Sequence, residues 1–152
     1  MKKLTKWGRA YLMIMLISLT SMAQGYAASS KFTISEEQDV ATIYVADDES
    51  YTVRRAVGDL QNDLELITGK KVEITNDLNS ISGRAIIVGE ASNPLIKELV
   101  SKYANGKGES LEGIYESFLI KPIKSPTQGV KEALLVAGSD ALGAVYGAYQ
   151  IS

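Results

Sequence analysis

The run Arg84-Ala85-Ile86-Ile87-Val88 constrains this chain more than any other segment. It is continuously apolar, rich in β-branched residues and stopped by Gly89, the pattern of a central strand buried on both faces. Such a strand is stable only inside a sheet with other elements packed on it, so the flanking sequence must supply partner strands and helices.

It does so on both sides. Upstream, Phe32-Thr33-Ile34 is a short strand candidate, and Glu36 and Glu37 mark a polar turn. Ala41-Thr42-Ile43-Tyr44-Val45 is a strand by its β-branched and aromatic content. Asp47-Asp48-Glu49-Ser50 closes it and supplies acids and a cap for a helix from Tyr51 to Ile67. Val53, Val57, Leu60, Leu64 and Ile67 form the apolar stripe of that helix, Arg55, Asp59, Asn62 and Asp63 lie on its other side, and Gly69 ends it. Lys71-Val72-Glu73-Ile74 alternates like a half-buried strand, and Asn76 to Ser82 is a polar loop.

Downstream, Asn93-Pro94 opens a second helix with a cap and an N1 proline, and Ile96, Leu99, Val100 and Tyr103 give its stripe. Asn105-Gly106-Lys107-Gly108-Glu109 is a flexible loop. Glu116 to Ile123 is a strand whose Pro122 places its end at an edge or a bulge. Ser125-Pro126-Thr127-Gln128-Gly129 is a turn, and Ala133 to Ala137 is the last strand. The short turn favours an antiparallel pair, whereas the helical crossovers favour parallel pairing. The expected fold is α/β, a small mixed β-sheet with helices packed on it.

Composition narrows the chemistry. The 152 residues are 45% hydrophobic and 22% charged, ordinary for one globular domain. A net charge of −2 leaves no basic field for nucleic acid or an acidic membrane. Cysteine and histidine are absent, which removes disulfides, thiolate nucleophiles, Cys/His zinc sites and every histidine-based triad. Residues 1–27 have the form of a signal peptide. Lys2, Lys3, Lys6 and Arg9 make a basic region, Ala10 to Met22 is almost wholly apolar, and Gly25-Tyr26-Ala27 predicts cleavage after Ala27. The apolar run is short of the ~20 residues of a membrane span, and no cysteine offers a lipid anchor. The expectation is an exported domain over residues 28–152, periplasmic or secreted, with no membrane association after cleavage.

Candidate sites are weighed on their surroundings. Ile87-Val88-Gly89 leading to Asn93, and Val136-Ala137-Gly138 leading to Ser139, are both strand, glycine, cap and helix. Such turns present backbone amides that hold anions, but neither is a full phosphate loop, and a sharp turn with an ordinary cap accounts for each. Asp47-Asp48-Glu49 lacks the alternate spacing and glycine of a calcium loop and fits charge at a helix start. Arg55, Asp59 and Asp63 fit a solvated helix face. Glycosidase chemistry needs two carboxylates across a cleft, and no spacing singles out a pair. Tyr146 and Tyr149, in line with Leu142, form the core stripe of the last helix, while Gly143 and Gly147 permit close backbone approach. No catalytic, cofactor-binding or metal residue is assigned, and no cofactor is expected.

The stretch Leu135-Val136-Ala137-Gly138-Ser139-Asp140-x-x-Gly143-x-x-Tyr146-Gly147-x-Tyr149-x-x-Ser152 resembles a segment of glycoside hydrolase family 115. These enzymes are xylan α-1,2-glucuronidases that remove (4-O-methyl)glucuronic acid from glucuronoxylan. A looser similarity extends to the N-terminal domains of other α-glucuronidases and of hexosaminidase-type hydrolases. Tyr51-Thr52-Val53, Leu66-Ile67-Thr68-Gly69-Lys70 and Ile86-Ile87-Val88-Gly89 fit as well. The chain departs at Ala141-Leu142, where the family pattern carries a basic pair.

The resemblance implies a small N-terminal α/β domain that precedes a catalytic barrel, so no catalytic residue transfers to this chain. Gln150-Ile151-Ser152 follow the apolar face of a helix, and the expectation is a fragment truncated before that barrel. The implied partners are the catalytic barrel, in the same chain or as a split product, and glucuronoxylan. A free-standing exported carbohydrate- or protein-binding module is the alternative.

Overall fold

The computed structural model describes residues 31–37, 39–104 and 110–152. The expected signal peptide and the loop from Asn105 to Glu109 lie outside the described residues. In chain order the elements are β1 (Ser35–Glu36), β2 (Asp39–Val40), β3 (Thr42–Tyr44), α1 (Tyr51–Thr68), β4 (Ile74–Thr75), a 3-10 turn (Leu78–Ser80), β5 (Gly83–Glu90), α2 (Pro94–Tyr103), β6 (Phe118–Lys124), β7 (Val130–Gly138) and α3 (Ala141–Gln150).

The apolar run around Ile86 forms the middle strand of a five-stranded sheet ordered β4-β3-β5-β7-β6. β3 pairs parallel with β4 and with β5, β5 pairs parallel with β7, and β6 alone is antiparallel, against β7. This is the mixed sheet expected from the short turn and the two crossovers, and Pro122 lies on the edge strand. Alternation along β5 divides the core into two layers. Ile86 and Val88 meet Val53, Val57, Leu60 and Leu64 of α1 with Ala144 and Ala148 of α3. Ala85 and Ile87 meet Ile96 and Leu99 of α2. The sheet is therefore a filling between α1 with α3 on one side and α2 on the other.

The starts of α1 and α2 and the end of α1 follow the caps expected of them. Ser50 Oγ accepts from the Val53 amide at 3.4 Å, Asn93 Oδ1 accepts from the Leu95 amide at 3.0 Å, and Gly69 closes α1 in the left-handed region with φ 67°.

Local pattern misplaces some details. Phe32-Thr33-Ile34 is not a strand; the first strand begins at Ser35, and the β1–β2 hairpin pairs only Ser35 with Val40 and Glu36 with Asp39. Lys71-Val72-Glu73-Ile74 is strand only from Ile74. The Val72 amide donates to Glu65 Oε1 at 2.9 Å and its carbonyl accepts from Gln61 Nε2 at 2.7 Å, so α1 side chains occupy the groups a strand would use. Ile67 is 75% exposed, and the buried stripe of α1 ends at Leu64.

The amino end of the sheet is closed by charge. Arg84, buried on β5, donates to Glu36 Oε2 at 2.8 Å and to Asp39 Oδ2 at 2.9 Å, while Lys70 Nζ donates to Ser35 Oγ at 2.8 Å. These bonds pin the hairpin of β1 and β2 to the domain and leave the opposite, carboxyl end of the sheet as the place to look for function.

Candidate functional site

β3, β5 and β7 end side by side, and their connections diverge. α1 leaves β3 toward one face of the sheet and α2 follows β5 toward the other. In open α/β sheets that divergence makes a crevice at the carboxyl ends of the strands, where ligands bind. Both strand-glycine-cap-helix turns lie here, and each holds one of the protein's own carboxylates.

At the β5 turn the carboxylate is Glu49. Its side chain leaves the loop before α1 and crosses to β5, where Oε1 accepts from the Glu90 amide at 3.1 Å. Only 6% of the residue is exposed. A Cβ added to Gly89 would lie 2.5 Å from Glu49 Oε1 and 2.8 Å from Ile96 Cγ1, so the missing side chain is what admits the carboxyl. Burial pushes the Glu49 carboxyl up to about 7; the Glu90 amide pulls the other way, and the charges of Glu90 and Asp48 add to the rise.

At the β7 turn the carboxylate is Asp140, the N-cap of α3, one residue later than the Ser139 expected from sequence. One oxygen accepts from the Gly143 amide and the other from the Glu116 amide, both at 2.8 Å. The Glu116 and Gly143 amides hold the Asp140 carboxyl below the usual aspartate range. Ser139 instead ties the turn to β6: its Oγ accepts from the Ser117 amide at 3.1 Å and its own amide donates to the Ser117 carbonyl at 2.8 Å. An internal carboxylate thus stands where each turn would otherwise receive an anion.

The acidic run does not converge. Asp47 accepts from Asn76 Nδ2, Asp48 accepts from Asn93 Nδ2 at 3.4 Å, and Glu49 turns inward. No acid lies in the first turn of α1, so the charge expected to favour the helix start serves tertiary contacts instead. Among the described residues no group of three or more acidic side chains could hold a metal ion.

The acids of α1 are likewise occupied. Asp59 accepts from Tyr149 Oη at 2.8 Å and Arg55 Nε at 3.2 Å, and Asp63 accepts from Ser152 Oγ. The Tyr149 hydroxyl, then Arg55, lowers the Asp59 carboxyl. These bonds lie on the solvated face expected of the helix, where Asp59 and Asp63 also tie α1 to the end of α3.

The last helix inverts its expected orientation. Leu142, Tyr146 and Tyr149 are 45%, 45% and 48% exposed, not core, while Gly143, Ala144, Gly147 and Ala148 face inward. A Cβ on Gly143 would come within 2.2 Å of the Ser117 carbonyl oxygen, and one on Gly147 within 2.7 Å of Val136 Cγ1. The close approach expected of these glycines occurs, and it leaves no room for large side chains on that face.

A cavity of about 500 Å3 adjoins the carboxyl edge, lined by Ser92, Lys97, Ser101, Leu111 and Ser139 among others. Its volume suits a small ligand, and among the described residues its serine hydroxyls, Lys97 and Glu112 supply polar groups. Glu49 does not line it. A larger cleft of about 770 Å3 lies around β4, lined by Thr42, Gln61, Lys71, Glu73, Thr75 and Ser80 among others.

The architecture defines the chain as a three-layer α/β domain with a self-filled carboxyl edge. A solved structure described as a novel family GH115 4-O-methyl-α-glucuronidase with specificity for decorated arabinogalactans is similar to it, with a TM-score of 0.51 and 26% sequence identity. The match covers 73% of this chain and 13% of that one. The chain therefore has a GH115-like fold and spans only a small part of the length of that glucuronidase. No protein-family model and no curated protein matches it.

Proposed function

We propose that the chain is a non-catalytic, N-terminal accessory domain of an exported glycoside hydrolase related to the family 115 glucuronidases, acting in glucuronoxylan breakdown. The structural match, which covers 73% of this chain and 13% of a glucuronidase, carries this proposal, because it fits a chain corresponding to a small part of a much larger enzyme. Its own acids agree with a silent role. Glu49, Asp59 and Asp140 are each engaged in holding the fold together, and among the described residues Glu112 is the one acid lining the cavity beside α2.

The partner in this proposal is the catalytic barrel, docked on the outward face of α3. Leu142, Tyr146 and Tyr149 lie there at helical spacing, beside Phe118 of β6, which packs against Gly147. An aromatic and apolar helix face of this kind suits burial in an interdomain interface. Export follows from the signal sequence, and the amino terminus of the secreted protein should begin at Ala28.

The test is a pair of measurements on the purified chain. It should release no 4-O-methylglucuronic acid from glucuronoxylan or from decorated arabinogalactan, followed by anion-exchange chromatography. Release by this chain alone overturns the accessory reading. The coding DNA adjoining this segment should encode a barrel, in frame or as a neighbouring product. Finding none, together with tight unaided binding of glucuronoxylan oligosaccharides by calorimetry, replaces the proposal with a free-standing binding module seated at the cavity beside Ser92 and Lys97.

A further inference from the structure

We propose that Glu49 is a proton-operated latch: its protonated carboxyl fastens the loop before α1 to the β5–α2 turn, and its ionisation frees that loop and opens the crevice between the carboxyl ends of β3 and β5.

The geometry joins three elements through one side chain. Glu49 belongs to the loop after β3, accepts from the Glu90 amide at the end of β5, and occupies a space bounded by Gly89 and by Ile96 of α2. Among the described residues, that amide is the one donor to the carboxyl. The titratable groups acting on it are Asp48 from its own loop and Glu90 from β5, both acidic. Tyr44, at the end of β3, feels Asp48 and Glu49 together, and α2 presents Ile96, an apolar wall. Among the described residues, none of the charges acting on Glu49 is positive.

Ionisation therefore puts a negative charge in a desolvated position beside Asp48 and Glu90, and the cost of that burial outweighs the bond from the Glu90 amide, which favours the charged form. Relief is close at hand. Asp47 and Asp48 are exposed and Ser50 is partly so, which makes Glu49 one buried side chain in a surface loop. Turning it outward hydrates the carboxylate and leaves the Gly89–Glu90 backbone open to water. The rise of the Glu49 carboxyl to about 7 sets the pH at which this happens. The chain has no histidine, so Glu49 is placed to titrate in that range where histidine ordinarily would.

The experiment follows backbone amides of the whole chain and of Glu49→Gln by 1H–15N NMR between about pH 5.5 and 8.5. In the wild type, the Gly89, Glu90 and Ala91 resonances should shift with a common midpoint near 7. Hydrogen-exchange protection of the Glu90 amide should fall roughly tenfold or more across that range, with the core of β7 unaffected. In Glu49→Gln, which keeps the shape and an acceptor but cannot ionise, both changes should vanish. A Glu49 carboxyl midpoint in the ordinary glutamate range, read from side-chain 13C shifts of the wild type, overturns the latch even if the variant fails to fold. Unchanged Glu90 protection across the titration overturns it equally.

Discussion

At the carboxyl end of β5 the Glu90 amide donates to Glu49, and at the carboxyl end of β7 the amides of Gly143 and Glu116 donate to Asp140. Both carboxylates close a strand-glycine-helix turn, on strands that are hydrogen-bonded neighbours with Glu90 directly opposite Gly138. Their charges nevertheless have opposite effects. Asp140 is local to its helix, partly exposed and bonded by several amides, so its charged form is favoured. Glu49 comes from a different loop, is buried, and meets one amide and two like charges, so its neutral form is favoured. The difference shows that an amide at a turn does not by itself decide whether the acid it meets is ionised; burial and the number of donors do.

The largest way to break the comparison is to fill the two glycines. A Cβ on Gly138 would lie 2.0 Å from the Ala144 nitrogen and 2.6 Å from its Cα, which is helix backbone and cannot yield. Gly138→Ala should lose about 3 kcal/mol or more, if it folds at all. The atoms nearest a Cβ on Gly89 belong to side chains, Glu49 and Ile96, and Glu49 can swing out. Gly89→Ala should cost about 1 to 2 kcal/mol in urea denaturation. Because it expels the carboxyl, it should also flatten the pH dependence that Glu49 imposes. Equal losses at the two glycines would mean that the turns are alike after all.

pH separates the two acids with opposite signs. A raised native pKa means that the native state binds more protons than the unfolded chain between about 4.5 and 7, so the Glu49 contribution is complete below 4.5 and is lost as pH rises through 7. Its full extent is about 3 kcal/mol, an upper bound because the loop relaxes. A lowered native pKa means that the Asp140 contribution is complete above the ordinary aspartate range and is lost as pH falls through its depressed value. Denaturation profiles should therefore show Glu49→Gln gaining on the wild type above neutrality. Asp140→Asn should close its gap with the wild type only in strong acid. A wild-type profile that keeps rising from pH 4.5 to 8 contradicts the first expectation.

Legibility in the sequence divides along the same line. Asn93 caps α2 and Gly69 ends α1 as local pattern requires, and the run around Ile86 is the central strand, because each depends on residues within a turn of itself. The destination of Glu49 is a partner 41 residues away, and nothing around Asp47-Asp48-Glu49 distinguishes an inward acid from a helix-dipole acid. The orientation of α3 failed for a related reason. Leu142, Tyr146 and Tyr149 lie together on one face, and Gly143, Ala144, Gly147 and Ala148 lie together on the other. Periodicity identifies two such faces without saying which is buried. The answer came from how closely Ser117 and Val136 approach the two glycines, a property of the folded sheet.

The smallest effect tests how completely the β7 turn is satisfied. Ser117 gives its amide to Ser139 Oγ and its carbonyl to the Ser139 amide, but its own hydroxyl oxygen is buried with no hydrogen-bond partner among the described residues. A buried hydroxyl left unpaired costs free energy, and removing it adds no volume beneath the close contact with Gly143. Ser117→Ala should therefore be neutral or stabilising by up to about 1 kcal/mol, seen as an unchanged or raised urea midpoint with the same slope. A clear loss would mean that the hydroxyl has a partner after all, and that the β7 turn, like the β5 turn, depends on a side chain whose surroundings change when the protein moves.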